Sequence, residues 1–340
     1  MLVVMEAKAT KEEVITVISY LQSLNLKAEE LPGANRVAIG VTGNKKHISH
    51  QEVQRMSGVK ELIQVTHKYK RVSREFYPDN TIVKVKNALF GGNAPVLIAG
   101  PCSVESEDQI MRTAEMLKSL GVEVLRGGIF KPRTSPYDFQ GLGYKGLELM
   151  KKASEASDLP ICVELMNPED ISLFEHEVDL IQIGARNMQN FDLLKKLGKI
   201  QTPVLLKRGA SSTVEEFLLA AEYILDGGNS NVILCERGIR TFETSTRNTL
   251  DLNSVALIRK MSHLPIIVDP CHAAGRHDLV TPLAMASMAV GAQGLIIETH
   301  PEPFKALSDA NQQLDFEQFS EFVSQYKRIQ QVLTPVVSLK

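Results

Sequence analysis

PVLIAGPC (95–102), VEVLRGG (122–128), PICVELM (160–166), VDLIQIGAR (178–186), PVLLKRG (203–209), NVILCERG (231–238), PIIVDPCH (265–272) and GLIIETH (294–300) are eight short apolar runs, each ending in a polar or charged residue. At or near these ends stand Cys102, Arg126, Glu164, Arg186, Lys207, Arg237, His272 and Glu298. Short apolar runs separated by helix-length segments read as buried parallel strands with crossover helices. Eight such periods in about 240 residues predict a (β/α)8 TIM barrel, an α/β fold whose strands all point their C-terminal ends at one face.

Outward from the barrel, the 340 residues leave room for one small extra domain. Residues 1–70 read as that domain. LVVMEA (2–7) is a predicted strand, and Thr10 with Glu13 has the spacing of a capping box opening a helix to about Asn25. KAEELP (27–32) and RVAIGV (36–41) predict two strands joined by a turn at Gly33–Ala34–Asn35. A helix from about His47 to Met56 and a strand VKELIQVT (59–66) complete a β-α-β-β-α-β order, the ferredoxin-like α+β pattern. Residues 71–94 read as a linker with a hairpin, TIVKVKN then ALFGGNA, covering the N-terminal mouth of a barrel that occupies 95–340. Ser106 with Gln109 and Thr213 with Glu216 are further capping-box patterns, and Asn167–Pro168 is an N-cap with proline at the first helical position.

Composition narrows the function classes. A hydrophobic content of 44% and a charged content of 23% are those of a globular protein. The net charge of −2 argues against nucleic-acid or membrane-surface binding as the main task. No apolar run approaches the ~18 residues of a membrane span, and MLVVMEAK lacks the basic start of a signal peptide. Four cysteines, Cys102, Cys162, Cys235 and Cys271, form no CxxC pair and fall within or at the ends of predicted buried strands. That pattern fits a reducing cytoplasm better than a disulfide framework.

The strand ends carry the chemistry. Arg126, Lys131, Arg133, Arg186, Lys207 and Arg237 all lie at or just after strand ends. Six cations on one barrel face suit more than one phosphate group, because guanidinium forks bind phosphate bidentately and ammonium groups add point charge. Cys102, His272 and Glu298 follow strands 1, 7 and 8, which are neighbours in a closed barrel, and Asp309 lies in the loop after strand 8. A thiolate, an imidazole and two carboxylates make a divalent-metal donor set. The loop KPRTSPYDFQGLG (131–143) combines two stiffening prolines with donors at Lys131, Arg133, Thr134 and Ser135. Glu164 faces the same pocket, either for proton transfer or to orient a neighbouring cation.

IAGPCSVES (98–106), LRGGIFKPRTSPYDFQG (125–141), IQIGARNMQN (181–190), LLKRG (205–209), LCERGIRTFE (234–243), VDPCH (268–272) and ETHPEPFKALSD (298–309) together resemble 3-deoxy-D-arabino-heptulosonate 7-phosphate (DAHP) synthase over about 71–335. Residues 1–70 resemble the form with an N-terminal ferredoxin-like regulatory domain. The resemblance implies condensation of phosphoenolpyruvate with erythrose 4-phosphate and water, releasing phosphate, in the first step of the shikimate pathway of aromatic amino acid biosynthesis. It implies one divalent metal ion, Mn²⁺ or similar, on Cys102, His272, Glu298 and Asp309. It places phosphoenolpyruvate on Arg126, Lys131, the Ala185 backbone N–H, Arg186, Lys207 and Arg237, and erythrose 4-phosphate on Arg133, Thr134 and Ser135. Lys131, Glu164, Cys102 and His272 are the expected catalytic groups, with Lys131 protonating the developing alkoxide. A homotetramer or homodimer is expected, with tyrosine or phenylalanine as effector of the first domain. Cys271, where the family usually has Ser, and Ala310, where Gly is common, depart from the pattern. Cys102 and Cys271 end strands 1 and 7, and His272 beside Cys271 would share the metal with Cys102; the metal-free enzyme is therefore expected to expose a Cys102 thiolate of lowered pKa and to oxidise, through a Cys102–Cys271 disulfide or at Cys102 alone.

Three alternatives stay open on the residues. A 3-deoxy-D-manno-octulosonate 8-phosphate synthase shares barrel and chemistry, but KPRTSPYDFQG differs from its aldose loop. A Schiff-base aldolase would use Lys207, provided that Arg208 and the other cations lower its pKa. A non-catalytic sugar-phosphate sensor would have no use for the four metal-type donors.

Overall fold

The computed structural model describes residues 1–31, 37–43, 48–63, 68–133 and 135–333. The chain forms two compact units, Met1–Asp79 and Asn80–Lys340.

In the first unit β1 (Leu2–Met5), β2 (Lys27–Leu31), β3 (Ala38–Thr42) and β4 (Val59–Ile63) form an antiparallel sheet in the order β2-β3-β1-β4. α1 (Lys11–Ser23) starts at a true capping box, with Thr10 Oγ1 accepting from Glu13 N at 3.2 Å and Glu13 Oε2 accepting from Thr10 N at 2.8 Å. Its buried Val14, Val17 and Leu21 recur at helical spacing and pack with Met1, Val3, Met5, Ile39 and Val41 of the sheet. α2 (His50–Gln54) is shorter than the helix expected from 47 to 56, because Ser49 is its N-cap. His47, the Gly33–Ala34–Asn35 turn and the expected end of the last strand at 64–66 lie outside the described residues. The unit extends past residue 70: Phe76 packs with Leu2 and Leu31 in a small cluster of its own.

The second unit opens with a hairpin, β5 (Val83–Val85) and β6 (Ala88–Phe90). Its Val83, Val85, Ala88 and Phe90 share one core cluster with Val96, Ile98, Val124, Leu205 and Ile267 of the barrel. The barrel strands are β7 (Val96–Gly100), β8 (Val124–Arg126), β9 (Ile161–Glu164), β10 (Leu180–Ile183), β11 (Val204–Lys207), β12 (Val232–Glu236), β13 (Ile266–Val268) and β14 (Gly294–Glu298). All pair in parallel and the sheet closes, β14 returning to β7 with Glu298 opposite Gly100. This is the eightfold barrel that the apolar runs predict. Gly100 is required on the other side of β7: its φ is +149°, and a Cβ there would sit 2.0 Å from Arg126 O of β8.

Main barrel helices include α3 (Glu107–Leu120), α4 (Tyr144–Ser157), α5 (Ile171–Glu177), α6 (Phe191–Leu197), α7 (Val214–Gly227), α8 (Leu252–Met261), α10 (Val280–Ala289) and α11 (Phe316–Leu333); a one-turn helix, α9 (Pro270–Ala274), precedes α10. Thr213 and Glu216 form the reciprocal box at α7. At α3 the box is only half made. Ser106 accepts from Gln109 N, but the Gln109 side chain turns to Glu105 N and Ser103 O, both at 3.0 Å. Asn167 caps a 3₁₀ turn, Pro168–Asp170, that runs into α5. Among the described residues no helix is long and apolar enough to cross a membrane.

Candidate active site

Parallel closure brings the ends of distant sequence runs together at one mouth. Arg126, Lys131, Arg133, Glu164, Ala185, Arg186, Lys207, Arg237, His272 and Asp309 line a single cleft there, with room for about 220 Å³ of solvent. Cys102 and Glu298 lie beneath it, essentially inaccessible. Thus, of the fourteen residues expected at the site, thirteen are described: ten line one cleft and two form its floor. Ser135 is the exception: its Oγ accepts from Tyr137 N at 3.2 Å within its own loop, and it is not part of the lining. Thr134 lies outside the described residues.

The floor is a cluster of donors. Sγ of Cys102 and a carboxylate oxygen each from Glu298 and Asp309 lie within 4.8 Å of one another. His272 sits not on β13 but one turn beyond it, on α9, where the Asp269 side chain caps the helix by accepting from His272 N at 3.0 Å. That turn points Nε2 at Glu298 Oε1 (3.6 Å) and Asp309 Oδ2 (3.8 Å), while Nδ1 faces Asp269 Oδ2 at 2.8 Å. A carboxylate behind the imidazole is the usual support of a metal-ligating histidine. The donor set, soft thiol, imidazole and two carboxylates, fits a divalent transition metal. Burial pushes His272 down, more than the Asp269 and Glu298 charges raise it, so the ring is neutral and able to ligate.

Two cations belong to this floor. Arg126 Nη1 donates to Glu298 Oε1 and to Pro101 O, both at 2.7 Å, and the pair is almost fully buried. Lys131 Nζ lies 2.9 Å from Cys102 Sγ. Burial works against the Lys131 charge, but Cys102 and Glu298 outweigh it and raise its pKa. The Cys102 thiol is neither exposed nor acidic: burial, with the Glu298 charge, pushes it up to about 12. The expectation of an exposed, low-pKa thiolate in the metal-free protein is therefore corrected, because desolvation overrides the nearby cations. Cys271 is also buried, its Sγ taken up by Glu298 N at 3.2 Å. All four cysteines are free.

The wall differs. Arg186 and Arg237 line the cleft with no ion pair among the described residues, and Arg237 is 8% exposed. Burial pushes Arg237 below its ordinary value, with Asp269 opposing and neighbouring Arg247 adding to the fall. Seven cations line the cleft, counting Arg247, against three carboxylates, Asp138, Glu164 and Asp309. Such an excess suits an anionic ligand. Nearer the mouth, Arg133 pairs loosely with Asp138 at 3.5 Å. Glu164 accepts from Gln182 Nε2 at 3.1 Å, and Gly184 has no Cβ because one would lie 2.0 Å from Glu164 Oε1.

Lys207 and Arg208 part company. Lys207 Nζ meets Asp269 Oδ2 at 2.5 Å, and Asp269 raises its pKa against the effect of burial. Arg208 turns away into a buried network with Glu236 and Asp251, both at 2.9 Å. It does not share the cleft, so it cannot depress Lys207. A Schiff-base lysine needs a lowered pKa, and this one is raised.

Sequence reasoning passed over Asp269, Arg247 and Gln312. Asp269 stands inside VDPCH, where Asp-Pro signals a helix start and could have located it. Gln312 Nε2 donates to Glu298 Oε2 at 2.6 Å, and its Oε1 accepts from Arg247 Nη1 at 3.0 Å. Neither residue stands at a strand end, so no sequence signal marks them.

Barrel and cleft define the class: a (β/α)8 protein whose strand-end face carries an excess of cations beside a cluster of metal-type donors. The chain belongs to the DAHP synthetase I family, whose model matches residues 79–334. A second model, the DAHP synthase ferredoxin-like domain, matches residues 1–67. The chain is 49% identical over 333 residues to phospho-2-dehydro-3-deoxyheptonate aldolase of Thermotoga maritima, covering 98% of each. The crystal structure of that aldolase (DAHP synthase) superposes with a TM-score of 0.78 over 98% of both chains. A truncated form of 3-deoxy-D-arabino-heptulosonate 7-phosphate synthase from the same organism, 51% identical, superposes with a TM-score of 0.73, covering 77% of this chain and 97% of that one. More distant is 2-dehydro-3-deoxyphosphooctonate aldolase of Syntrophotalea carbinolica, 29% identical over 270 residues, covering 74% of this chain and 96% of the relative.

Proposed function

We infer that the chain condenses phosphoenolpyruvate with erythrose 4-phosphate and water to give 3-deoxy-D-arabino-heptulosonate 7-phosphate and phosphate, the entry to the shikimate pathway. Family membership gives the reaction, and the observation that carries the site is the cation excess beside the donor cluster. Two phosphorylated substrates repel each other, and holding them together is a large part of the catalytic task.

Arg186, Arg237, Lys207 and the Ala185 N–H would hold phosphoenolpyruvate, with Arg126 behind them. Arg133 would take the phosphate of erythrose 4-phosphate, with Thr134 and Ser135 in the same loop. Cys102, His272, Glu298 and Asp309 would hold one divalent ion, Mn²⁺ or similar, which supplies Lewis-acid polarisation of an oxygen when bound. Carbon 3 of phosphoenolpyruvate attacks the aldehyde carbon, and Lys131 Nζ gives a proton to the developing alkoxide. Water adds at carbon 2, where positive charge has developed. Glu164, held by Gln182, orients that water. The hemiketal phosphate then collapses with C–O cleavage, and phosphate leaves.

The test is phosphoenolpyruvate consumption with erythrose 4-phosphate or arabinose 5-phosphate, in chelator and with added metals. Turnover with erythrose 4-phosphate that chelator abolishes and Mn²⁺ restores is the expected result. Preference for arabinose 5-phosphate would transfer the chain to the octulosonate reaction.

The first unit acts, in this reading, as an effector module for tyrosine or phenylalanine in a homotetramer or homodimer. Its support is a separate fold with its own family match. Among the described residues, the cluster of metal-type donors lies in the barrel. A chain starting at Asn80 should keep turnover and lose inhibition by both amino acids; equal inhibition would move the effector to the barrel. Light scattering reads the assembly.

A further inference from the structure

We propose that Asp269 is a positioning residue that couples the donor cluster to the substrate wall, so that metal ion and phosphoenolpyruvate each tighten the other's binding. The inference rests on the function proposed above and adds a role for a residue outside both predicted sets.

Asp269 lies between β13 and α9 and is 1% exposed. Its Oδ1 accepts from the His272 backbone N–H at 3.0 Å, which fixes the carboxylate. Its Oδ2 meets two partners: Lys207 Nζ donates at 2.5 Å, and His272 Nδ1 lies 2.8 Å away, in contact but without the alignment of a hydrogen bond. The two partners face different regions. Lys207 lines the cation-rich cleft, and Asp269 is the one hydrogen-bond partner of its Nζ among the described residues. His272 turns Nε2 toward Glu298 and Asp309. One oxygen therefore stands between a substrate cation and a metal-type ligand.

A carboxylate oxygen has lone pairs for two donors, but two donors on one oxygen weaken each other, since each draws on the same negative charge. When the anionic substrate shares the Lys207 charge, the ammonium leans less on Asp269. More of the carboxylate is then available to His272 Nδ1, which makes the imidazole a better donor at Nε2. In reverse, a cation at Nε2 draws the Nδ1 proton toward Asp269 and frees Lys207 for the substrate. Thermodynamic linkage makes the two effects equal. Direct attraction between an anionic substrate and the ion adds coupling of its own, and that part does not depend on Asp269.

The experiment titrates Co²⁺ into the full-length apoprotein with and without saturating phosphoenolpyruvate, reading the visible and thiolate charge-transfer bands. Phosphoenolpyruvate should tighten Co²⁺ by about 10-fold in the parent chain. Asp269→Asn should weaken Co²⁺ by about 10- to 100-fold and cut the coupling ratio at least about threefold, because the neutral amide has no negative charge for the two donors to draw on. Lys207→Met removes the other partner and should cut the ratio equally, with no further loss in the double variant. It also probes the link should Asp269→Asn fail to fold. A purely structural Asp269 would lower both affinities and leave the ratio unchanged, and that result overturns the proposal. Cys102→Ser serves to separate the two readings. If it keeps the parent spectrum, the donor-cluster assignment falls and the coupling with it. If it loses the charge-transfer band while Asp269→Asn keeps the ratio, the coupling alone falls.

Discussion

The floor and the wall of the cleft are built from the same strand ends and solve opposite problems. On the floor the charged groups are tied down by buried partners: Arg126 is bound to Glu298, Lys131 donates to Cys102 Sγ, and Asp269 meets Lys207 and His272. On the wall Arg186 and Arg237 have no ion pair among the described residues. The floor is preorganised by internal neutralisation and the wall is left charged for a ligand. The difference teaches that a cation at a strand end is not by itself a substrate site. What decides is whether an acid shares its depth.

The largest effect should come from the floor. Cys102→Ala or His272→Ala should fold normally and lose more activity than the ~10- to 100-fold typical of an outer partner of a metal. Full turnover of Cys102→Ala in chelator would erase the functional difference between floor and wall. Next, Arg126→Ala should lower stability by about 3–5 kcal/mol by denaturant titration, because it strands Glu298 as a buried unpaired charge. Arg186→Ala, with no acid to strand, should stay within about 0.5 kcal/mol of the parent. Similar losses in both variants would break the comparison.

Within the wall, Arg237→Ala should raise KM for phosphoenolpyruvate and Arg133→Ala that for erythrose 4-phosphate, each by about 10- to 150-fold, the worth of one charge-assisted contact. Equal effects on both KM values in both variants would show one undivided anion site. The smallest effect concerns pH. Burial alone would raise the Glu298 pKa, but His272, once protonated in acid, and the Arg126 charge outweigh it and hold the carboxyl below its ordinary value. A depressed folded value means a contribution present above the unfolded value near pH 4.3 and lost as pH falls through the folded one. Stability of the metal-free protein should therefore fall on acidification with a slope of at most ~1.4 kcal/mol per pH unit from this group. Glu298→Gln should flatten that slope; an unchanged acid limb would show that the floor carries no such linkage.

Much of this was legible beforehand. The barrel followed from eight apolar runs, and closure of the sheet set strand 8 between strands 1 and 7, which brings Cys102, Glu298 and Asp309 within 4.8 Å of one another with His272 Nε2 facing the two carboxylates. Cations at strand ends were correctly placed at one mouth, because parallel strands leave their C-terminal residues no other direction. The roles within that mouth were less legible. Arg126 reads in sequence like Arg237, yet one faces Glu298 and the other open cleft. Arg208 reads as a neighbour of Lys207, yet alternation along the chain sends it to Glu236 and Asp251.

The sequence by itself determined the barrel, the small first unit, the donor types and the sign of the cleft's charge, since these depend on periodicity and on which residues end each run. Tertiary structure alone decided which cations are neutralised, that Cys102 is buried with a raised pKa, and that Asp269 stands between Lys207 and His272. Those outcomes depend on depth and on which side chain meets an opposite charge a few ångströms away. Such distances are set by closure of the barrel and by the one-turn helix after β13, not by any spacing along the chain.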